Sequence, residues 1–463
     1  MAVINKWGIC FTLFLAFIGC KNNEMKSGLK PVHLITLDPG HFHAALVQKT
    51  MYDDVDSTVH VYAPERNDLQ LHLGRVNAYN NRVENPTRWN EVVYKGDDFF
   101  EKMIAEKKGN VVVLSGNNQK KSEYILRSLE NGFNVFADKP MVIDSKGFEE
   151  LKKAFDIAKE KKLLLYDIMT ERFEITTMLQ RELAMTPEVF GELEKGTIDN
   201  PAVAMESEHN FYKNVSGSVV VRPGWFMDGS QQGQGIVDVS THLVDLVQWE
   251  CFPEQDLDYT KDILIDSAVQ WPTRMTNSQF KTITKLDSIP AYLDKDKQND
   301  TTINVWSNGQ FSYTIKGVHA KIYVEWKYQT ASGVDTHYSI IRGTKAALEI
   351  RQGVNEEYKP VLYILPNKDI IESGKMDEYE KFLALRIKQL QIKYPGLELE
   401  KKFHEWKVII PDKYKEGHEE HFAKVTNNFL EYLKNHNMPS WEVPNMLAKY
   451  YTTTKALELA KQR

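Results

Sequence analysis

Cysteine is scarce: three among 463 residues, Cys10, Cys20 and Cys251. That number excludes a disulfide framework or a cysteine-built zinc site in the folded body. Positive charge is in deficit, with 58 Lys+Arg against 64 Asp+Glu and a net charge of −6. A basic footprint for nucleic acid is therefore excluded. The longest apolar run, from Trp7 to Gly19, is about a dozen residues, short of the roughly 20 that a membrane-crossing helix needs. Internal repeats and low-complexity blocks are missing too. What remains is 42% hydrophobic, 26% charged and 11% aromatic residues, the composition of a globular protein rather than a disordered, collagenous or multispan one. The length suits two or three domains.

The apolar run follows a single basic residue, Lys6, and reads as an export signal. It ends in Phe17-Ile18-Gly19-Cys20, which resembles a bacterial lipobox, with Phe17 where leucine is usual. The resemblance implies cleavage after residue 19, lipidation of Cys20, a polar tether over 20–31, and a place in the bacterial cell envelope, periplasm-facing or surface-exposed. The membrane is then met only through the acyl chains, and Cys251 is the one thiol left in the body.

From Val32 onward short apolar runs alternate with amphipathic stretches: Val32–Leu37, a helix-like Ala44–Tyr52, then Thr58–Tyr62, Val111–Leu114, Val135–Phe136 and Leu163–Tyr166. Helical spacing over 97–106, 119–130 and 145–159 separates the later runs. The pattern predicts βαβ units and a doubly wound parallel sheet of about six strands over 32–170. Past Arg172 short alternating strands take over, clearest in Ile322, Val324, Trp326 and Tyr328, and predict an open, mainly antiparallel sheet. The polar run 294–302 reads as a surface loop, and 376–394 and 421–435 as helices.

Two motifs carry chemistry. Asp138-Lys139-Pro140 ends the fifth predicted strand, and Gly233-Gln234-Gly235 leads into Asp238-Val239-Ser240-Thr241-His242-Leu243-Val244-Asp245. Asp238 and His242 stand at i and i+4, where a carboxylate on the same helical face can orient an imidazole that works as acid or base. The first motif resembles the Glu-Lys-Pro signature of the Gfo/Idh/MocA family, with Asp138 in place of glutamate, and the second its D-x-x-x-H-x-x-D helix. Ser115-Gly116-Asn117, Arg172-Phe173 and Ile341–Leu348 extend the resemblance over most of 32–365. Residues 366–415 do not match and read as an insertion in a substrate-binding domain spanning 171–463.

The resemblance implies a Rossmann domain joined to a sugar-binding α/β domain, and NAD or NADP as cofactor. It implies a sugar or glycoside substrate and, through the open sheet, self-association. Lys139 and His242 would then manage the proton of a ring hydroxyl while Asp238 orients His242. Some relatives use the same redox step transiently to cleave a glycosidic bond. Asp38, Gly40, His41, His43, Ser115, Asn117, Asp138 and Lys139 fall on cofactor-side positions. Arg172, His209, Arg222, Trp225 and Asp245 fall on the substrate side, where an aromatic ring and an arginine suit a sugar.

The nucleotide turn departs from that pattern. Dinucleotide folds place G-x-G-x-x-G after the first strand so that phosphate meets bare backbone at a helix N-terminus. Here the turn is Asp38-Pro39-Gly40-His41-Phe42-His43. Only Gly40 survives, and the second strand ends in Ala63-Pro64-Glu65 with no acid at its tip. A carboxylate at position 38 repels diphosphate, and the leader has no twin arginine to export a loaded protein. His41 and His43, at i and i+2, form a candidate divalent-metal pair. Two alternatives therefore stand beside the oxidoreductase: a metal-dependent or cofactor-free carbohydrate lyase or hydrolase, and a noncatalytic carbohydrate-binding lipoprotein. His418-Glu419-Glu420-His421, at i, i+3, is not the i, i+4 zinc motif and reads as a helix start.

Replacing Cys20 by serine should release the protein from the membrane fraction. A variant as membrane-bound as the parent would overturn the lipidation reading.

Overall fold

A computed structural model describes residues 31–462, apart from 216 and 217. The leader, Cys20 and the tether up to residue 30 lie outside the described residues. Six strands form the first sheet: β1 Leu34–Leu37, β2 Thr58–Ala63, β3 Asn90–Lys95, β4 Val111–Leu114, β5 Asn134–Asp138 and β6 Leu165–Ile168. They pair in parallel in the order β3-β2-β1-β4-β5-β6, the doubly wound arrangement. Every residue of β1, β4 and β6 is buried, as expected of strands covered on both faces. β3 sits at the edge, half exposed, and has no continuous apolar run to announce it.

The second sheet has ten strands. From one edge the order is Ile263–Thr276, Thr302–Ile315, Val318–Lys327, Val203–Asn210, Thr336–Arg342, Ala346–Arg351, Val361–Pro366, Glu405–Ile409 and Glu398–Lys402, with Lys297–Asn299 beside Thr302–Ile315. All its pairings are antiparallel except Val318–Lys327 with Val203–Asn210. Ile322, Val324 and Trp326 share its buried face. The predicted loop over 294–302 is instead a short 3-10 helix, Ala291–Asp296, and the strand Lys297–Asn299. Residues 366–415 add the helix Met376–Lys393 and a hairpin that extends the sheet edge.

Two features of the first half differ from expectation. The helix after β1 is a single turn, His43–Leu46, rather than a stretch reaching Tyr52. The C-terminal helices also return to the first sheet. Phe422, Val425 and Phe429 on His418–Asn435, with Met446 and Tyr450 on Glu442–Lys461, belong to its core, and Phe429 stacks on Phe136 at 4.5 Å. The boundary at residue 170 separates the sheets, but residues beyond 418 belong to both halves.

A buried ion network fastens these parts. Lys449, 0% exposed, places its ammonium 2.7 Å from Asp167 on β6 and 2.8 Å from Asp245 on the helix Ser240–Cys251. Arg172, on the 3-10 turn Glu171–Phe173, donates twice to Asp245, at 2.6 and 2.7 Å, and also to Glu442 at 3.0 Å. Lys449→Met leaves two buried carboxylates without their shared cation and should cost about 3–5 kcal/mol in urea unfolding. A loss below about 1 kcal/mol would show that other contacts hold the parts together.

Candidate active site

The residues that sequence motifs single out come from opposite ends of the chain to one cavity of about 370 Å³ between the two sheets. The turn after β1 supplies His41 and His43, and the end of β5 supplies Lys139. Asp238 and His242 come from the Gly-rich approach and first turn of Ser240–Cys251, and His209 and Arg222 from the second sheet side. Gly235 permits that approach, because a Cβ there would lie 2.1 Å from the Ser307 carbonyl oxygen.

Lys139 donates to Asp238 Oδ1 at 2.8 Å, with both side chains largely buried. Burial raises the Asp238 carboxyl, but the Lys139 charge and hydrogen bonds from Lys139 and Gln232 bring it below the ordinary value. The expected Asp238–His242 pair is not formed. Regular helix starts only at Ser240, so Asp238 lies before it and turns to Lys139. His242 Nδ1 is buried without a hydrogen-bond partner. Burial, and then the nearby Lys139 charge, push its pKa down to about 3, so the ring is neutral at physiological pH.

Asp138 lies just behind. Its Oδ2 meets His43 Nδ1 at 2.9 Å, His41 Nδ1 at 3.6 Å and Ser115 Oγ at 3.0 Å. One nitrogen from each imidazole and one Asp138 oxygen all lie within 4.8 Å of one another. His418 Nε2 stands 3.5 Å from His43 Nε2, while its Nδ1 faces Glu171 at 3.2 Å. The His418 helix start is therefore also cavity wall.

Several predicted contacts lie elsewhere. Arg172 and Asp245 are committed to the Lys449 network and do not line this cavity: Asp245, three residues past His242, lies on the part of the helix that meets β6 and the C-terminal helix. Trp225 does not line it either. Its indole donates to Asp68 at 2.8 Å and its ring covers Gly40. The adjacent Phe226, with Trp326, supplies the cavity's aromatic wall. Sequence reasoning also missed Asp335, which binds His209 at 3.0 Å and Lys213 at 2.7 Å from a loop without any motif.

Outside the carboxyl ends of β1 to β4 lies a separate cleft of about 580 Å³, lined by Asp38, Arg66, Lys95, Asn117, Lys120 and Tyr124 among others. Doubly wound sheets take nucleotides at this place. Its three cations, Arg66, Lys95 and Lys120, stand beside three carboxylates, Asp38, Glu65 and Asp97, and Arg66 pairs with Asp38 while Lys95 pairs with Glu65 at 3.2 Å. The turn itself offers less. The Gly40 and His41 N–H groups both donate to the Ser115 carbonyl at 3.2 Å. Trp225 Cζ2 lies 2.9 Å from where a Gly40 Cβ would be, and the single-turn helix gives little dipole. Asp38, at φ 43°, holds the left-handed backbone where the motif has glycine and pairs with Arg66 at 2.7 Å. The turn thus offers a diphosphate a weakened grip.

Residues 179–461 match the family model described as "Putative oxidoreductase C terminal domain", and residues 41–167 match "Oxidoreductase family, NAD-binding Rossmann fold". A search of curated proteins gives no match. Among solved structures, the crystal structure of "a putative oxidoreductase" from Parabacteroides merdae is 53% identical, with a TM-score of 0.90 over 93% of this chain and 98% of that one. More distant folds include KijD10, a 3-ketoreductase from Actinomadura kijaniata in complex with NADP and TDP-benzene (14% identity, TM-score 0.54, 90% of this chain and 95% of that). Another is "a putative myo-inositol dehydrogenase" from Sinorhizobium meliloti (13%, 0.53, 93% and 98%). With both halves matched and a 53% identical structure covered almost end to end, this chain belongs to the Gfo/Idh/MocA family of oxidoreductases.

Proposed function

We propose that the protein interconverts a hydroxyl and the corresponding ketone on a sugar or glycoside, with Lys139 and His242 handling the hydroxyl proton. The observation that carries this reading is the convergence of Lys139, its Asp238 partner and a neutral His242 on one cavity wall. Lys139 has three N–H donors and gives one to Asp238. The others can stabilise the negative charge that grows on a substrate oxygen, and neutral His242 can accept the proton that leaves it. NAD or NADP, when bound, supplies the hydride acceptor or donor. Arg66, Lys95, Asn117 and Lys120 are the residues to hold it, at the cleft outside β1 to β4. Neighbours described as a myo-inositol dehydrogenase and a 3-ketoreductase, together with the aromatic wall of Phe226 and Trp326, support the substrate class.

One observation favours a second reading. The triangle of His41, His43 and Asp138 has the ligand types and spacing of a two-histidine, one-carboxylate divalent site. An ion there would polarise a substrate oxygen in the same cavity, and a lyase or hydrolase reaction would need no hydride.

Lys139→Ala and His242→Ala should each lower turnover on the order of 10²-fold. His242→Ala should change folding little. Lys139→Ala also lowers stability, because it leaves the buried Asp238 carboxylate without its cation, so turnover is compared at a temperature where both variants are folded. Near-parental activity in both sinks the proton-transfer assignment. Calorimetric binding of NAD or NADP that Arg66→Ala weakens supports the oxidoreductase. Stoichiometric metal in the purified protein, lost with His43→Ala, together with no nucleotide affinity, selects the second reading instead. The His242 Cε1–H resonance should hold its neutral position from pH 8 to pH 5, and a midpoint near 6.5 contradicts the buried neutral ring. Since the unfolded chain protonates this histidine near 6.5 and the folded chain only near 3, stability should fall as pH drops through that interval.

A further inference from the structure

Charges in this cavity come in pairs, with one exception. Lys139 faces Asp238, Lys213 and His209 face Asp335, and Glu171 faces His418. Arg222, 4% exposed, has no carboxylate partner among the described residues. Of its five N–H donors, one on Nε reaches the Phe211 carbonyl at 3.2 Å and one on Nη2 reaches that of Asn210 at 3.4 Å. Its guanidinium carbon stands 4.6 Å from the ring centre of Phe226 and 5.1 Å from that of Trp326, the same rings that wall the cavity. Burial pushes its pKa down to about 10, which leaves it charged.

The two long main-chain contacts, the two rings and the more distant charges of Asp335 and Asp238 offset part of the desolvation cost of this buried guanidinium, yet leave it without a hydrogen-bonded anion among the described residues. Arg222 does not hold the two sheets together, since the Lys449 network does that. It packs on aromatic rings against which a sugar would lie, and keeps three N–H donors beyond its two main-chain contacts. Arginine's planar fork matches a carboxylate with two parallel hydrogen bonds.

We propose that the substrate is an acidic sugar, a uronic acid or a glycoside bearing one, and that Arg222 binds its carboxylate inside the cavity. The inference rests on the reading of this cavity as a sugar site and narrows its substrate class. With the carboxylate held at Arg222 beside the exposed margins of Phe226 and Trp326, Lys139 and His242 are left to address a ring hydroxyl.

The test is calorimetry with the purified protein at pH 7, comparing methyl glucuronide and methyl galacturonide with the corresponding neutral methyl glycosides and with a methyl glucoside 6-sulfate. The uronides should bind at least about tenfold more tightly than the neutral sugars, the scale of one charge-assisted pair. Arg222→Met, which keeps the apolar packing, should remove the preference. Arg222→Lys, which keeps the charge and loses the fork, should retain part of it and covers the case in which the methionine variant fails to fold. Equal binding of charged and neutral sugars overturns the proposal, as does a preference that survives both substitutions or an absence of uronide binding at millimolar concentration. Tighter binding of the sulfate ester assigns Arg222 to another anion and overturns the carboxylate. If Lys139→Ala and His242→Ala abolish turnover of a neutral sugar, only this inference fails. If an Arg222-dependent uronide preference coexists with intact turnover in those two variants, the proton-transfer reading fails and this one stands.

Discussion

Lys449 is the constraint from which the geometry of the cavity follows. Its ammonium has no access to water and is held between Asp167 at the end of β6 and Asp245 on the His242 helix, while Arg172 clamps the same Asp245 and reaches Glu442. Two cations among three carboxylates form a compact buried network in which each charge is compensated only if every element stays in register. Moving the helix away from β6 would strip Asp245 of both partners at once. The network therefore fixes where His242 points, although none of its members touches the cavity.

On that frame the site separates its charges. Lys139 and Asp238 compensate each other across the seam between the two halves, and the positive end of that pair, with burial, keeps His242 neutral. A buried imidazole without a partner on Nδ1 is costly as a structural element and suited to accepting a proton. Arg222 lies against the aromatic wall as the cavity's unpaired cation. Among the described residues no carboxylate forms an ion pair with this guanidinium, and Asp335 and Asp238 act on it only from a distance.

The nucleotide side follows a different course. Gly116 survives because a Cβ there would strike the Asp38 carbonyl at 2.2 Å, so the tight approach of the first and fourth strand ends is retained. The backbone donors of that approach are fewer: the Ser115 carbonyl occupies the loop N–H groups and Trp225 covers Gly40. The shortened helix after β1 is compensated by the helix His418–Asn435, whose Phe422 packs on the His43 ring at 4.7 Å. His418, His43 and Asp138 thereby become neighbours of Lys139 and His242.

The residue order alone determined the alternation of strands and helices and the two-sheet architecture, and it singled out Lys139, Asp238 and His242, which the fold brings to one cavity. These are legible because apolar periodicity and short motifs are local properties of the chain. It also located His209 and Arg222, each beside an aromatic-rich strand or turn. Local spacing misled where an element's limits mattered: i, i+4 predicts an Asp238–His242 pair, but a helix that begins at Ser240 gives Asp238 to a lysine from the other half. Trp225 and Phe226 differ by one position, and only the packing of the second sheet decides which ring faces the cavity. Asp335, Lys449 and the C-terminal helix carry no motif at all. Their roles come from contacts between residues far apart in sequence, and the energy of a buried charge depends on which partners the fold brings to it rather than on its neighbours along the chain.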